Sequence, residues 1–197
     1  MKKVAFIFPG QGSQKIGMGK DFFENSDIAK DMISKASERL GFSFEELLFE
    51  ENENLGKTQF TQPVILLVSA IAMEIFKSKC DIKPEFVLGH SLGEFSALVA
   101  SGAIDYLDAI ELVHKRGLFM SEACAGGGAG MMALVGLDDS SVEKICEEER
   151  ESGKKVWAAN YNMDGQLVLA GLKADLESLA DTFTEAGAKK AIVLDMS

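Results

Sequence analysis

The chain has 197 residues, 47% hydrophobic and 26% charged, with 31 Asp and Glu against 20 Lys and Arg for a net charge of −11. That is the composition of a folded globular protein, and it excludes a disordered chain, a collagen and a disulfide-stapled miniprotein. An acidic chain also lacks the electrostatic footprint that phosphate backbones demand, so nucleic acid is not an expected partner.

Val4 to Phe8 is a short apolar run stopped by Pro9-Gly10, which predicts a buried strand followed by the loop Gly10-Gln11-Gly12-Ser13-Gln14. Amphipathic patterns predict helices over about Ile28–Leu40 and Pro63–Lys79, the second with Thr61 as N-cap and Pro63 just inside. The longest apolar run, Pro63 to Met73, falls short of the ~20 residues of a membrane span, and Met1-Lys2-Lys3 precedes only five apolar residues. No signal peptide or membrane anchor is expected. A second short strand, Phe86-Val87-Leu88, runs into Gly89-His90-Ser91-Leu92-Gly93 and a helix to about Ala100, and another helix covers Tyr106 to Glu122. Strands alternating with helices predict an α/β layer with a parallel sheet.

Gly126-Gly127-Gly128-Ala129-Gly130 interrupts this order, and the expected domain boundary falls there, giving domains over 1–127 and 128–197. Beyond it the pattern is strand Met131–Val135, helix Ser140–Glu151, strand Val156–Tyr161, strand Gln166–Ala170, helix Ala174–Ala186 and strand Ala191–Asp195, with an Asp164-Gly165 hairpin turn. This is the β-α-β-β-α-β order of a ferredoxin-like unit. The first part offers only two strands for four helices, so a longer functional unit that completes its sheet is expected. Three cysteines, Cys80, Cys124 and Cys146, contain no C-x-x-C pair. They predict a reducing, cytoplasmic setting with neither a disulfide framework nor a zinc site.

Gly89-His90-Ser91-Leu92-Gly93 is G-x-S-x-G between a strand and a helix. A sharp turn there presents the serine hydroxyl at a helix N-terminus, where free N–H groups can stabilise an oxyanion. The alternative is a purely structural turn. A serine nucleophile needs a base, and the chain has two histidines. His90 adjoins Ser91 and is expected to point away from it. A helical wheel over Ala109–Met120 sets Ala109, Ile110, Leu112, Val113, Arg116, Gly117, Phe119 and Met120 on one face and leaves His114 on the solvated side. Arg116 in that stripe is either a bidentate fork for a carboxylate ligand or one half of a buried salt bridge. The Gly10–Gln14 loop fits neither the dinucleotide nor the Walker fingerprint, and what it permits is a close backbone approach. Asn160, Asn162 and Gln166 flank the hairpin, where ordinary turn chemistry also accounts for them.

Phe8-Pro9-Gly10-Gln11-Gly12-Ser13-Gln14, Thr61-Gln62-Pro63, Gly89-His90-Ser91-Leu92-Gly93-Glu94, Arg116-Gly117-Leu118-Phe119-Met120 and Asn160-Tyr161-Asn162 resemble, in this order, the malonyl-CoA:acyl carrier protein transacylases and related acyltransferase domains. The resemblance implies a hydrolase-like parallel-sheet core with a ferredoxin-like small domain. It implies Ser91 as nucleophile, the N–H groups of Gln11 and Leu92 as oxyanion hole, Arg116 as grip for the malonate carboxylate, and Gln62, His90, Met120, Asn160 and Asn162 lining the pocket. It further implies malonyl-CoA and acyl carrier protein as partners of a monomer, CoA thioester as substrate, and no metal or other cofactor. The essential histidine of the family lies after the small domain, so the chain is expected to be the first two-thirds of such an enzyme. Alternatives are a serine thioesterase or hydrolase, and a non-catalytic binder of CoA or acyl carrier protein.

Overall fold

The structure, a computed structural model, describes residues 3–125 and 128–194. The chain divides into two compact units, Met1–Glu122 and Ala123–Ser197. The glycines Gly126 and Gly127, at the expected boundary, lie outside the described residues, as does Asp195 at the expected end of the last strand.

In the first unit, β1 (Ala5–Phe8) and β2 (Phe86–Gly89) pair in parallel, Ala5 opposite Phe86 and Phe8 opposite Gly89. Alternation along both strands decides which residues are covered. Phe6, Phe8 and Val87 pack inward with Met73, Ala97 and Ala100, whereas Ile7, Phe86 and Leu88 on the other face stay exposed. Helices α1 (Lys20–Asn25), α2 (Asp27–Leu40), α3 (Phe44–Phe49), α4 (Thr58–Lys79), α5 (Gly93–Ser101) and α6 (Tyr106–Cys124) supply the rest. α2 buries Ala29, Met32, Ile33 and Ala36, the i, i+3, i+4, i+7 stripe of an amphipathic helix, and ends at Gly41 in the left-handed region.

Three expectations need correction here. Neither α1 nor α3 was foreseen, although Ser43-x-x-Glu46 before Leu47-Leu48 is a capping signature, and Ser43 Oγ does accept from the Glu46 N–H at 3.1 Å. α4 begins five residues before Pro63, so Thr61 is no N-cap; its hydroxyl instead donates to the Leu55 carbonyl at 2.6 Å. By length and composition alone α4 could cross a membrane, which the interrupted apolar run had concealed. Its apolarity is spent inside the unit: Thr61 through Leu67, Ala70, Ile71 and Met73 are buried against α2, α5 and their neighbours. On α6 the buried residues are Ala109, Ile110, Val113 and Gly117, while Leu112, Phe119 and Met120 are exposed, so the buried stripe is narrower than the wheel predicts.

The second unit runs β3 (Ala129–Val135), α7 (Asp139–Glu151), β4 (Val156–Met163), β5 (Gln166–Leu172), α8 (Lys173–Glu185) and β6 (Lys190–Leu194). All pairings are antiparallel and the strand order is β4-β5-β3-β6, the ferredoxin-like arrangement. Gly165, with φ 71°, closes the β4–β5 hairpin. Met132, Leu134, Leu167, Leu169 and Val156 project from one sheet face onto Val142 and Cys146 of α7 and Leu176, Leu179 and Phe183 of α8. The fold is thus of the α/β class, a parallel-sheet core followed by a ferredoxin-like small domain.

Candidate active site

β2 turns into α5 through a bend that only small residues permit. A Cβ on Gly89 would run into the backbone of Gly93, and one on Gly93 would press against the carbonyls of Phe8 and Pro9. Gly10 is equally confined: its Cβ would stand 2.6 Å from the His90 carbonyl oxygen and 2.9 Å from His90 Nδ1. These close approaches lock the loop after β1 onto the loop after β2, with the His90 N–H donating to the Phe8 carbonyl at 3.2 Å. At the apex Ser91 has φ 51°, the sole non-glycine residue with positive φ among those described. Holding an L-residue there costs on the order of 1–3 kcal/mol, strain that concentrates where a side chain must be presented.

The carbonyls around Ser91 are already spoken for: His90 accepts from the Gly93 N–H at 2.9 Å and Ser91 from the Glu94 N–H at 3.1 Å. The N–H groups of Gln11 and Leu92 meet no acceptor among the described residues. They belong to the two loops that the glycines press together, which is what an oxyanion hole of two backbone donors requires.

Arg116 comes to this apex from α6. Nη2 donates to Ser91 Oγ at 3.3 Å and Nη1 to Gln62 Oε1 at 2.6 Å, and the guanidinium lies 5.7 Å over the Phe95 ring. No carboxylate stands within ion-pair range of it among the described residues, which removes the salt-bridge alternative there. Burial pushes the Arg116 pKa down, with Glu94 acting in the opposite sense. A half-buried cation whose two arms rest on neutral groups is suited to receive an anion. Gln62, fully buried on α4, connects the rest: Nε2 donates to Gln11 Oε1 at 3.4 Å and approaches Met120 Sδ at 3.3 Å, while Gln11 Nε2 donates to Thr58 Oγ1 at 3.2 Å.

Of the residues expected at the site, Ser91, Leu92, Gln11, Gln62, Arg116, Met120 and His90 therefore gather in the first unit. Asn160 and Asn162 belong to β4 of the second, Asn160 half-buried beside a β-bulge and Asn162 exposed. The solvated position expected for His114 is corrected. Its ring is half-buried near Phe42 and Phe60, and Nδ1 lies 2.8 Å from the Gln59 carbonyl oxygen. Thr58 and Phe95 also serve the site, and no sequence pattern had marked either.

The acyl transferase domain family matches residues 5–197. Across its whole length the chain is 43% identical to the malonyl CoA-acyl carrier protein transacylase of Bacillus subtilis (strain 168), covering 62% of that protein. An acyl carrier protein S-malonyltransferase from Vibrio cholerae O1 biovar eltor superposes with a TM-score of 0.92 at 39% identity, over 100% of this chain and 64% of that one. A type II PKS acyl-carrier protein in complex with its malonyl-transacylase gives a TM-score of 0.90 at 38% identity, over 100% of this chain and 63% of that one. The chain thus spans a little under two-thirds of the length of these relatives.

Proposed function

The chain belongs to the acyl transferase domain family, and from that premise we propose that it forms the nucleophile-bearing part of an enzyme that moves a malonyl group from malonyl-CoA to the phosphopantetheine thiol of acyl carrier protein, in fatty-acid synthesis. The observation that carries this reading is the Arg116 fork, set between Ser91 Oγ and the buried Gln62 with no acid to neutralise it among the described residues. A carboxylate held there lies beside the hydroxyl that would attack its thioester end.

The reaction divides into two acyl transfers. Ser91 Oγ attacks the thioester carbonyl and loses its proton to a base, the N–H groups of Gln11 and Leu92 take the oxyanion, and CoA thiolate departs. The carrier thiol then attacks the malonyl ester and returns Ser91. One oxyanion donor is worth about 10²–10³ in rate. Arg116 meets Ser91 as a hydrogen-bond donor and cannot act as its base, and His114 is bonded to Gln59. The resemblance to the malonyl-CoA:acyl carrier protein transacylases implies a histidine following the small domain as that base. The reading also includes a monomeric cytoplasmic protein that uses no metal or other cofactor, binds no nucleic acid and stays off the membrane. The acidic charge supports the part about nucleic acid, and the free state of Cys80, Cys124 and Cys146 supports the cytoplasmic setting.

The test is intact mass after exposure to malonyl-CoA, with imidazole added to stand in for the base and the adduct mapped by fragmentation. A malonyl increment on Ser91, absent from Ser91→Ala, is expected. Arg116→Ala should narrow the malonyl over acetyl preference by on the order of 10²–10³-fold, because stripping one partner from a buried charge pair costs about 3–5 kcal/mol. An unchanged preference would remove the carboxylate role, and a folded protein that takes no malonyl group at all would remove the transfer reading.

A further inference from the structure

The first turn of α4 is secured from outside its own helix. Pro63 has no N–H to offer the Gln59 carbonyl four residues back, and this half-buried carbonyl takes its donor from elsewhere. His114 supplies it, with Nδ1 2.8 Å from that oxygen. Since a carbonyl oxygen only accepts, Nδ1 carries the hydrogen. Phe42 and Phe60 flank the ring at centroid distances of 5.7 and 6.2 Å and limit its rotation.

Two more residues on the same face of α6 address the same residue of α4. A Cβ on Gly117 would stand 2.5 Å from Gln59 Cα, so glycine sets how near the helices come, and Ser121 Oγ donates to Gln59 Oε1 at 3.4 Å. The neighbouring stripe of α6 carries Arg116 and Met120, and these grip Gln62, three residues beyond Gln59. The position of the Gln59 turn therefore fixes how Gln62 reaches Arg116 and Gln11.

We propose that His114 is a positioning residue: by donating Nδ1–H to the carbonyl that Pro63 leaves open, it sets α4 against α6 so that Gln62 orients Arg116 and Gln11 beside Ser91. This is a role distinct from general base, and its link to acyl transfer rests on the function proposed above.

Two variants separate positioning from mere packing. His114→Asn keeps an N–H donor near the place of Nδ1, whereas His114→Leu fills the space without one. In 15N-labelled protein the neutral His114 ring is expected to show hydrogen on Nδ1. The Gln62 side-chain amide resonances should shift in His114→Leu and return in His114→Asn. Malonyl loading of Ser91 should fall roughly tenfold in His114→Leu and stay within about twofold of the parent in His114→Asn, a loss well inside the 10²-fold that a 1 Å misplacement costs. Hydrogen on Nε2 would overturn the proposal. So would unchanged Gln62 resonances in folded His114→Leu, or a His114→Asn protein that behaves like His114→Leu. If His114→Leu does not fold, the tautomer and His114→Asn still decide. Absence of malonyl loading in the parent protein would count against the proposed function alone, because both NMR measurements are independent of it.

Discussion

The two units solve the problem of covering a sheet in different ways. In the second unit four strands form one antiparallel sheet from contiguous sequence, and α7 and α8 close a single core over it. In the first, two parallel strands some 80 residues apart in the chain pair only with each other among the described residues. One face of that pair packs on α4 and α5, the other shows Ile7, Phe86 and Leu88, and a cleft of about 420 Å³ runs along β1 from Ala5 to Pro9. The self-contained unit holds little of the proposed chemistry, while the open one carries the strained serine and the half-buried arginine. Parallel strands need long crossover connections, and the ends they leave side by side are where a sharp loop can present a nucleophile. An antiparallel hairpin sheet gives up that opportunity for local closure.

Gly89→Ala should break this division most severely. A methyl group at position 89 has nowhere to go but into the Gly93 backbone, and opening the bend would pull β2 away from α5. A loss above about 4 kcal/mol is expected for the first unit, in the range reserved for such backbone conflicts. Amide exchange within 129–194 should keep its protection if the units are thermodynamically separate. An equal loss of protection in both would mean that they unfold as one.

Ser91→Gly sharpens the same comparison in the opposite direction. Releasing the φ of 51° recovers strain of about 1–3 kcal/mol, and the freer unfolded chain of glycine takes back about 0.4–1 kcal/mol, so a net gain of about 0.5–2 kcal/mol is expected in urea unfolding of the first unit. The gain comes with complete loss of malonyl loading. A destabilised Ser91→Gly protein would mean that the serine conformation is unstrained and that the hydroxyl contributes to stability.

How much of this was legible in the sequence follows the same division. The second unit is built from local signals, alternating strands, amphipathic helices and an Asp-Gly turn, and its order of elements matches the sequence expectation to within one or two residues at most ends. In the first unit the elbow was legible because G-x-S-x-G encodes its own backbone geometry. Arg116 stood out because a charge interrupts an apolar stripe. The Arg116–Gln62–Gln11 chain was not legible, since it joins three segments by contacts 51 and 54 residues apart. His114 was misplaced for a related reason: a wheel describes one helix and says nothing about which neighbouring carbonyl lacks a donor. Pro63 inside α4 was the missing clue, for a proline in a helix interior always leaves a carbonyl four residues back in need of a partner.

Near neutral pH the smallest expected effect on stability comes from cysteine chemistry within the second unit, which holds both Cys124 and Cys146. Cys146 lies in the core of the second unit, and burial pushes its thiol up to about 11. Cys124, near the end of α6, is exposed. Iodoacetamide at mildly alkaline pH should modify the exposed Cys124 first. Cys146 should react slower by on the order of 10³-fold, at a rate set by opening of the second unit alone. The same shift has a sign in pH. An unfolded cysteine loses its proton near about 8.5 while the folded one retains it to about 11, so over that interval the unfolded state binds fewer protons and stability falls as pH rises; below about 8.5 the contribution is fully present. Cys146→Ala should abolish that component of the alkaline slope for the second unit and leave the first unit's pH dependence untouched. A slope that survives the substitution would assign the alkaline loss to other groups, and a slope that changes in both units would mean that they unfold together.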